Sequence, residues 1–376
     1  MSVPRPATNL LSIAPYRFLP PANGGHLGIA MMHDHLGRLC EDHVATTSDN
    51  GVSTQWSFQT HPVLGTGAGR YIPFRQHNAL KRLALKYDAT AVFCEHPYMA
   101  ATAHALASTL GIPFYLRSHN IESERFKTFG KRWWPALAAY EGWAMRHADG
   151  VFFVTPEDAA WAAGRWRLNK AHLHVAPYGT PIERAPEGHE VAKQELAQAW
   201  NLRGDVPWFY FLGALDYEPN VQALHYIIYE IIPRLQQSGQ PFEVLVAGKG
   251  LSSLDAQRIA SVGAYYTGFL PDLDQFLIAC DVMLNPVILG GGIKTKAVEA
   301  LAFGKRVVSV HSGAAGLIRE ACGDALTVVA DGDWNGFASA TLQAAGSPAK
   351  APHQFYNTYY WGAVAKNVLE IIQRGH

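Results

Sequence analysis

Cysteine is scarce in this chain: Cys40, Cys94, Cys280 and Cys322 stand far apart and form no C-x-x-C pair. That spacing builds neither a disulfide scaffold nor a zinc ribbon, so reduced, buried thiols are expected. Long apolar runs are missing too. None approaches the roughly 18 residues of a membrane span. The opening M-S-V-P-R-P-A-T-N also lacks the apolar core of a signal peptide. A cytoplasmic protein is expected, with at most a peripheral hold on the inner face of a membrane. No G-x-G-x-x-G follows the first apolar run, which argues against a nicotinamide dehydrogenase. Fixed-period repeats and low-complexity tracts are absent as well. Charged residues make up only 16% of the chain against 48% hydrophobic, so a well-buried globular protein is implied rather than a disordered one.

What is present is alternation. Short apolar runs at 10–14, 43–47, 91–95, 114–118, 150–155 and 172–176 read as strands. A second set follows at 208–213, 242–247, 264–267, 282–285, 306–310 and 325–329. Helix-like patterns at 25–38, 74–87, 97–110, 135–147 and 219–236 lie between them. This order specifies an α/β protein with parallel sheets covered by helices. At 376 residues the chain is too long for one ordinary core. Two Rossmann-like, doubly wound domains are expected: residues 1–180, then 181–353, joined by a stretch rich in Pro, Gly and charge. A last helical segment, 354–376, follows. The first 180 residues hold 17 Lys and Arg against 12 Asp and Glu, and the remainder has the opposite excess. The first half is thus the candidate for meeting an acidic partner.

In doubly wound folds ligands bind beyond the carboxyl ends of the strands, so the loops there carry the candidate chemistry. The richest is P-V-I-L-G-G-G-I-K-T-K-A-V-E-A-L-A-F-G at 286–304. Gly290, Gly291 and Gly292 lead into a helix, an arrangement suited to an anion because free N–H groups and the helix dipole point the same way. Ile293, Lys294, Thr295 and Lys296 follow, and Glu299 offers a carboxylate for hydroxyls. Phosphate donors beside one carboxylate suit a nucleotide sugar. Gly24 and Gly25 precede the first helix. Arg117, His119, Asn120 and Glu122 cluster after the fourth predicted strand, where a histidine can bond a hydroxyl or steady developing charge. Gly213 and Asn220 open the second domain, Asn220 also reading as a plain helix cap. Gly268, Phe269 and Leu270 follow a strand, where backbone groups can read a base edge.

Two D-x-D pairs, Asp272/Asp274 and Asp331/Asp333, resemble metal holders but stand where helices begin, as carboxylates do anyway. His33 and His35 are two apart on a predicted helix and share no face. No metal is therefore expected. A basic and aromatic stretch holds Arg125, Phe126, Lys127, Phe129, Lys131, Arg132, Trp133 and Trp134. It fits an anionic membrane surface, or a core face with solvated charges.

Taken in order, P-P-A-N-G-G-H, R-S-H-N-I-E, P-Y-G-T, G-A-L-D-Y-E-P-N, Y-T-G-F-L and the 290–304 segment resemble the retaining glycosyltransferases of the GT-B fold, called glycosyltransferase group 1. The resemblance covers most of the chain. It implies two domains facing across a deep cleft, with 354–376 crossing back to the first. It implies sugar transfer from a nucleotide-sugar co-substrate to an acceptor hydroxyl with retention of anomeric configuration. Catalytic roles fall to His119 and Glu299, the latter holding ribose. The backbone from Gly292 to Lys296 would cradle diphosphate, and Gly25 would lie on the acceptor or phosphate side. No metal or other cofactor is implied, and the acceptor would be a saccharide or lipid-linked molecule. Two departures stand out: Gly291 occupies the place of a frequent glutamate, and no basic residue follows Gly213. Lys294 or Lys296 is expected to compensate. A nucleotide-sugar epimerase of the same fold and a non-catalytic nucleotide-sugar binder are the alternatives.

Overall fold

The computed structural model describes residues 8–51, 55–290, 292–346 and 352–375. The chain forms two compact units, Met1–Pro181 with Tyr359–His376, and Ile182–Thr358. Among the described residues the first holds seven strands: β1 (Asn9–Ala14), β2 (Glu41–Thr47), β3 (Gln59–Leu64), β4 (Ala91–Glu95), β5 (Phe114–Ser118), β6 (Gly150–Phe153) and β7 (Leu173–Val175). They lie in the order β3-β2-β1-β4-β5-β6-β7, every pair parallel. The second unit has β8 (Trp208–Leu212), β9 (Glu243–Ala247), β10 (Tyr265–Gly268), β11 (Val282–Asn285), β12 (Arg306–Val310) and β13 (Leu326–Val329). Their order is β10-β9-β8-β11-β12-β13, again all parallel. Each sheet reverses its winding once, between β1 and β4 and between β8 and β11. Those two points are where such folds bind ligands.

The central strands are buried on both faces, which explains their continuous apolar runs: every residue of β4, β5, β8 and β11 is buried. The strand β3 was not foreseen. It carries Pro62, and a strand with proline survives only where its missing N–H is not needed, here at the sheet edge. The helix expected at 74–87 begins at His77, because Phe74 takes a positive φ of 66°. The helix expected at 219–236 is interrupted. A helix Glu218–Tyr226 widens into a π turn, Ile227–Ile231, before Ile232–Gln237. Pro233 lacks the N–H that an unbroken ladder would use.

The last helix, Trp361–Arg374, belongs to the first unit, where Trp361, Val364, Val368 and Ile372 pack with Leu10, Met32, Leu36 and Phe93. Fully burying side chains of this size contributes roughly 2–3 kcal/mol each. Tyr115 Oη donates to the Ile372 carbonyl at 3.2 Å. The return to the first unit falls at Tyr359 rather than 354. The preceding helix, His353–Tyr359, stays with the second unit, Tyr356 Oη donating to the Ala302 carbonyl at 3.0 Å.

Candidate active site

In the first unit a cavity of about 790 Å³ opens beyond β1, β4 and β5. Gly25, His119 and Asn120 line it, together with Tyr16, His96, Tyr98, Arg125 and Phe126. The floor follows from strand register. Glu95 ends β4 and sits opposite Arg117 in β5, so their side chains meet on one face, Arg117 Nη1 to Glu95 Oε1 at 3.1 Å. His119, two residues past Arg117, returns toward the same carboxylate, Nε2 to Oε2 at 2.5 Å. Behind Glu95, His33 from the helix Gly24–Gly37 stands 3.3 Å from Oε1 and 2.7 Å from Asp42 of β2. Ser12 of β1 closes the chain, donating to Asp42 at 2.6 Å.

Charges alternate along this buried row. Burial opposes the charge of His33, but Asp42, with Glu95, raises its pKa to about 9. Burial likewise opposes ionisation of Glu95, yet Arg117 and His119 hold it well below the usual carboxylate range. His119 goes the other way. Burial, with His96 and Arg117 nearby, lowers it to about 3 against the pull of Glu95. A neutral imidazole donating Nε2–H to a carboxylate satisfies all three. His96 stacks on His119, centroids 4.0 Å apart and 13° from parallel, and Tyr98 is near-parallel to His96 at 5.6 Å.

The wall opposite is the helix Glu122–Thr128. Glu141 anchors its start, its two oxygens accepting the N–H groups of Glu122 and Ser123 at 2.8 Å each. Burial raises Glu141 to about 7. Glu122 accepts from Tyr98 Oη at 2.6 Å and from Arg125 at 3.3 Å. Of the basic and aromatic stretch, Phe126 lines the cavity and packs on Trp133 at 4.6 Å. Phe129 and Trp133 are exposed, 60% and 51%. Trp134 is half-buried against the core, with Lys127 over its ring at 4.9 Å. Lys131 and Arg132 are exposed.

One placement departs from the expected cluster. Arg117 is fully buried beneath the cavity, paired with Glu95, and does not line it. Gly24 is exposed with nothing nearer than 3.9 Å to an added Cβ, so no crowding demands glycine there. Asn23 caps the helix, accepting from His26 N at 3.0 Å. Sequence reasoning missed Glu95, His96, Asp42 and Glu141, and read His33 only as a decoy. The one available signal was Glu95-His96 at the end of a predicted strand.

In the second unit the end of β8 meets the loop after β11. Lys296 Nζ donates to the Leu212 carbonyl at 2.9 Å, and burial lowers its pKa to about 8. Gly213 leaves the room: a Cβ there would stand 2.7 Å from Asn220 Nδ2 and 2.8 Å from Lys296 Nζ. Asn220 is not the helix cap, which is Tyr217; its side chain donates back to the Ala214 carbonyl at 2.9 Å and latches the loop. Gly290 and Gly292 have φ of 88° and 72°, which suits glycine. Lys294 Nζ folds over them, 2.8 Å from the Gly290 carbonyl. Gly291 lies outside the described residues.

The helix begins at Thr295 and runs to Ala302, with no side chain capping its start. Half-buried Ile293 precedes it. Glu299 therefore lies little more than one turn into the helix. It is half-buried, and burial raises its pKa while Lys296 holds it down. At the edge strand β10, Gly268 takes φ of 73° and its carbonyl accepts from Gly248 N at 2.9 Å. Phe269 is 70% exposed, Leu270 half-buried. Asp272 and Asp333 cap helices through Gln275 N and Gly336 N, and Asp331 accepts from Ser312.

Residues 206–346 match the family model described as glycosyl transferases group 1, and residues 23–184 match glycosyltransferase family 4. These two domains, in the GT-B fold, make the chain a member of the group 1 and family 4 glycosyltransferases. Among curated proteins it is similar to 2-deoxystreptamine glucosyltransferase of Streptomyces kanamyceticus, 27% identical over 241 residues. That match spans 60% of this chain and 60% of the relative. A glycosyltransferase from Rickettsia africae superposes with a TM-score of 0.71 at 12% identity, covering 98% of this chain and 99% of the other. The Anabaena protein HepE, solved with UDP, gives 0.70 at 13% identity, covering 98% and 100%.

Proposed function

We propose that this protein transfers a sugar from a nucleoside-diphosphate sugar to an acceptor hydroxyl, with retention, in the synthesis of a cell-surface polysaccharide, glycolipid or glycoconjugate. The observation that carries the reading is Lys296. Its ammonium reaches the end of β8 beside Gly213, at the switch point of the second sheet and the uncapped start of a helix. It supplies the positive charge that the loop after Gly213 lacks, where a diphosphate would gather. Two strand spacings, roughly 10 Å, separate β8 from β10, a fitting span from phosphates to a base read at Gly268–Leu270. Glu299 takes the ribose hydroxyls, and Lys294 leaves its carbonyl partners for phosphate. His119 and Asn120 offer hydrogen-bonding groups to a sugar hydroxyl in the cavity of the first unit. The relatives support this donor class, since HepE is solved with UDP and with UDP-glucose.

Charge on the departing diphosphate is assigned to lysines and helix N-termini, so the reading expects activity to persist in chelator. Exposed Phe129, Trp133, Lys131 and Arg132, beside Arg125 and Lys127, would rest the cavity mouth on an anionic membrane and suit a lipid-linked acceptor. Vesicle sedimentation of the Lys131→Glu/Arg132→Glu variant tests that part; undiminished binding refutes it. The donor assignment is tested by calorimetry with UDP-, GDP-, dTDP- and ADP-sugars. One of them is expected to bind, and Lys294→Ala/Lys296→Ala to weaken it about 100-fold. Unchanged affinity in that variant overturns the assignment.

A further inference from the structure

We propose that Glu95 is a positioning residue for sugar transfer: it fixes the tautomer and plane of His119, so that Nδ1 of that ring is presented to the cavity as a hydrogen-bond acceptor for a sugar hydroxyl. The inference rests on the proposed function, with the first-unit cavity taken as one that holds a sugar.

Three observations carry it. His119 Nε2 is committed to Glu95 Oε2 at 2.5 Å, which leaves Nδ1 as the nitrogen available to the cavity it lines. Glu95 is itself held from two other sides, by Arg117 at 3.1 Å and by His33 at 3.3 Å, so it is already balanced by charge and need not take a proton from His119. The ring plane is clamped by His96, stacked 4.0 Å away. His96 takes φ 63° and ψ 157°, a backbone region that side chains rarely enter, and its N–H is bound to the Arg117 carbonyl at 2.9 Å. Strain of this kind persists where the surroundings over-determine it, and it collects at functional sites.

The same groups decide what His119 does. A general base works best when its pKa lies near the working pH. Its lowered pKa makes His119 a poor base, so the ring orients a hydroxyl and does not remove its proton. The electrostatic surroundings come from every neighbouring element: His33 from the first helix, Asp42 from β2, Glu95 and His96 from the end of β4, Arg117 from β5, and buried Glu122 from the following helix, 3.7 Å from His96.

Two measurements on the full chain test this. Imidazole ¹H–¹⁵N correlation spectra, with His119 assigned by its loss in His119→Gln, should show a single neutral Nε2–H tautomer from about pH 5 to 8. A doubly protonated ring near pH 6, or an Nδ1–H tautomer, overturns the proposal. The second is a double-mutant cycle on kcat. Glu95→Gln alone should lower kcat about 10- to 100-fold with donor KM changed less than about threefold. In a His119→Ala background the same change should cost less than about twofold, because the group it positions is gone. Additive losses overturn the proposal. Should Glu95→Gln not fold, the wild-type spectra still decide. A chain that binds no nucleotide sugar would refute the proposed function but leave the tautomer measurement standing, so the two failures are distinguishable.

Discussion

The two units reach their candidate sites by opposite routes. In the second unit the site is made of backbone and of residues close in sequence: Gly290, Gly292, Lys294, Lys296 and Glu299 lie within ten positions. Its lysines are tied to main-chain carbonyls, Lys296 at Leu212 and Lys294 at Gly290. In the first unit the cavity floor is made of side chains from four elements and the loop after β5, with His33, Asp42, Glu95, Arg117 and His119 spread over 87 residues. One site can shift its lysines without exposing a buried charge. The other is locked, since its buried charges are balanced by one another and removing a charged member leaves that balance incomplete.

The largest test of that contrast is Asp42→Asn. It removes the main partner of His33, and breaking such a buried pair should cost about 3 kcal/mol at neutral pH, measured by denaturant unfolding. The sign with pH follows from the raised pKa of His33, about 9 against 6.5 unfolded. Its contribution is complete below the unfolded value and is lost as pH rises through the folded one. Wild-type stability should therefore fall between about pH 6.5 and 9, and the variant should show a flatter decline in that window. An equal slope in both would remove His33 from the account.

Next in size is Gly213→Ala, which places a methyl against Asn220 and Lys296. Overpacking costs about 1–3 kcal/mol, and donor affinity should fall with it. A variant that binds nucleotide sugar normally would mean that Lys296 does not need its present position. A subtler probe uses the pKa of Lys296, near 8. As pH rises from about 7 to 9 the ammonium is lost, so donor binding should weaken up to about tenfold, and Lys296→Arg should abolish the dependence because arginine stays charged. The smallest effect is expected from His96→Gly. Glycine relieves the positive φ but removes the stacked ring, so stability should move by no more than about 1 kcal/mol while kcat drops. A large loss of stability would show that His96 is structural and that its strain is incidental.

The contrast also explains how much could be read from the sequence. Strands β4, β5, β11 and β12 stand within the boundaries expected of them, because burial on both faces forces continuous apolar runs. Strand β3 was invisible, as Pro62 and its half-exposed histidine break any pattern. At 286–304 a glycine loop leading into a helix was legible because glycines and helix starts act locally, although the helix starts five residues later than the first glycine. Arg117 was grouped with His119 and Asn120 as a candidate site residue, but it is buried and paired with Glu95, a partner set by the register of β4 and β5 and not by its sequence neighbours.

By itself, the sequence determined the alternation of strands and helices, the division into two doubly wound units and the glycine–lysine loop. Each of these is encoded in periodicity or in adjacent residues, and each acts through local backbone geometry. The tertiary structure alone decided that Glu95 bonds His119, that His33 stands behind it between two carboxylates, and that Lys296 reaches back beside Gly213. Those relations depend on strand order and register, which bring residues from distant parts of the chain within hydrogen-bond distance and out of water, where their charges must be balanced.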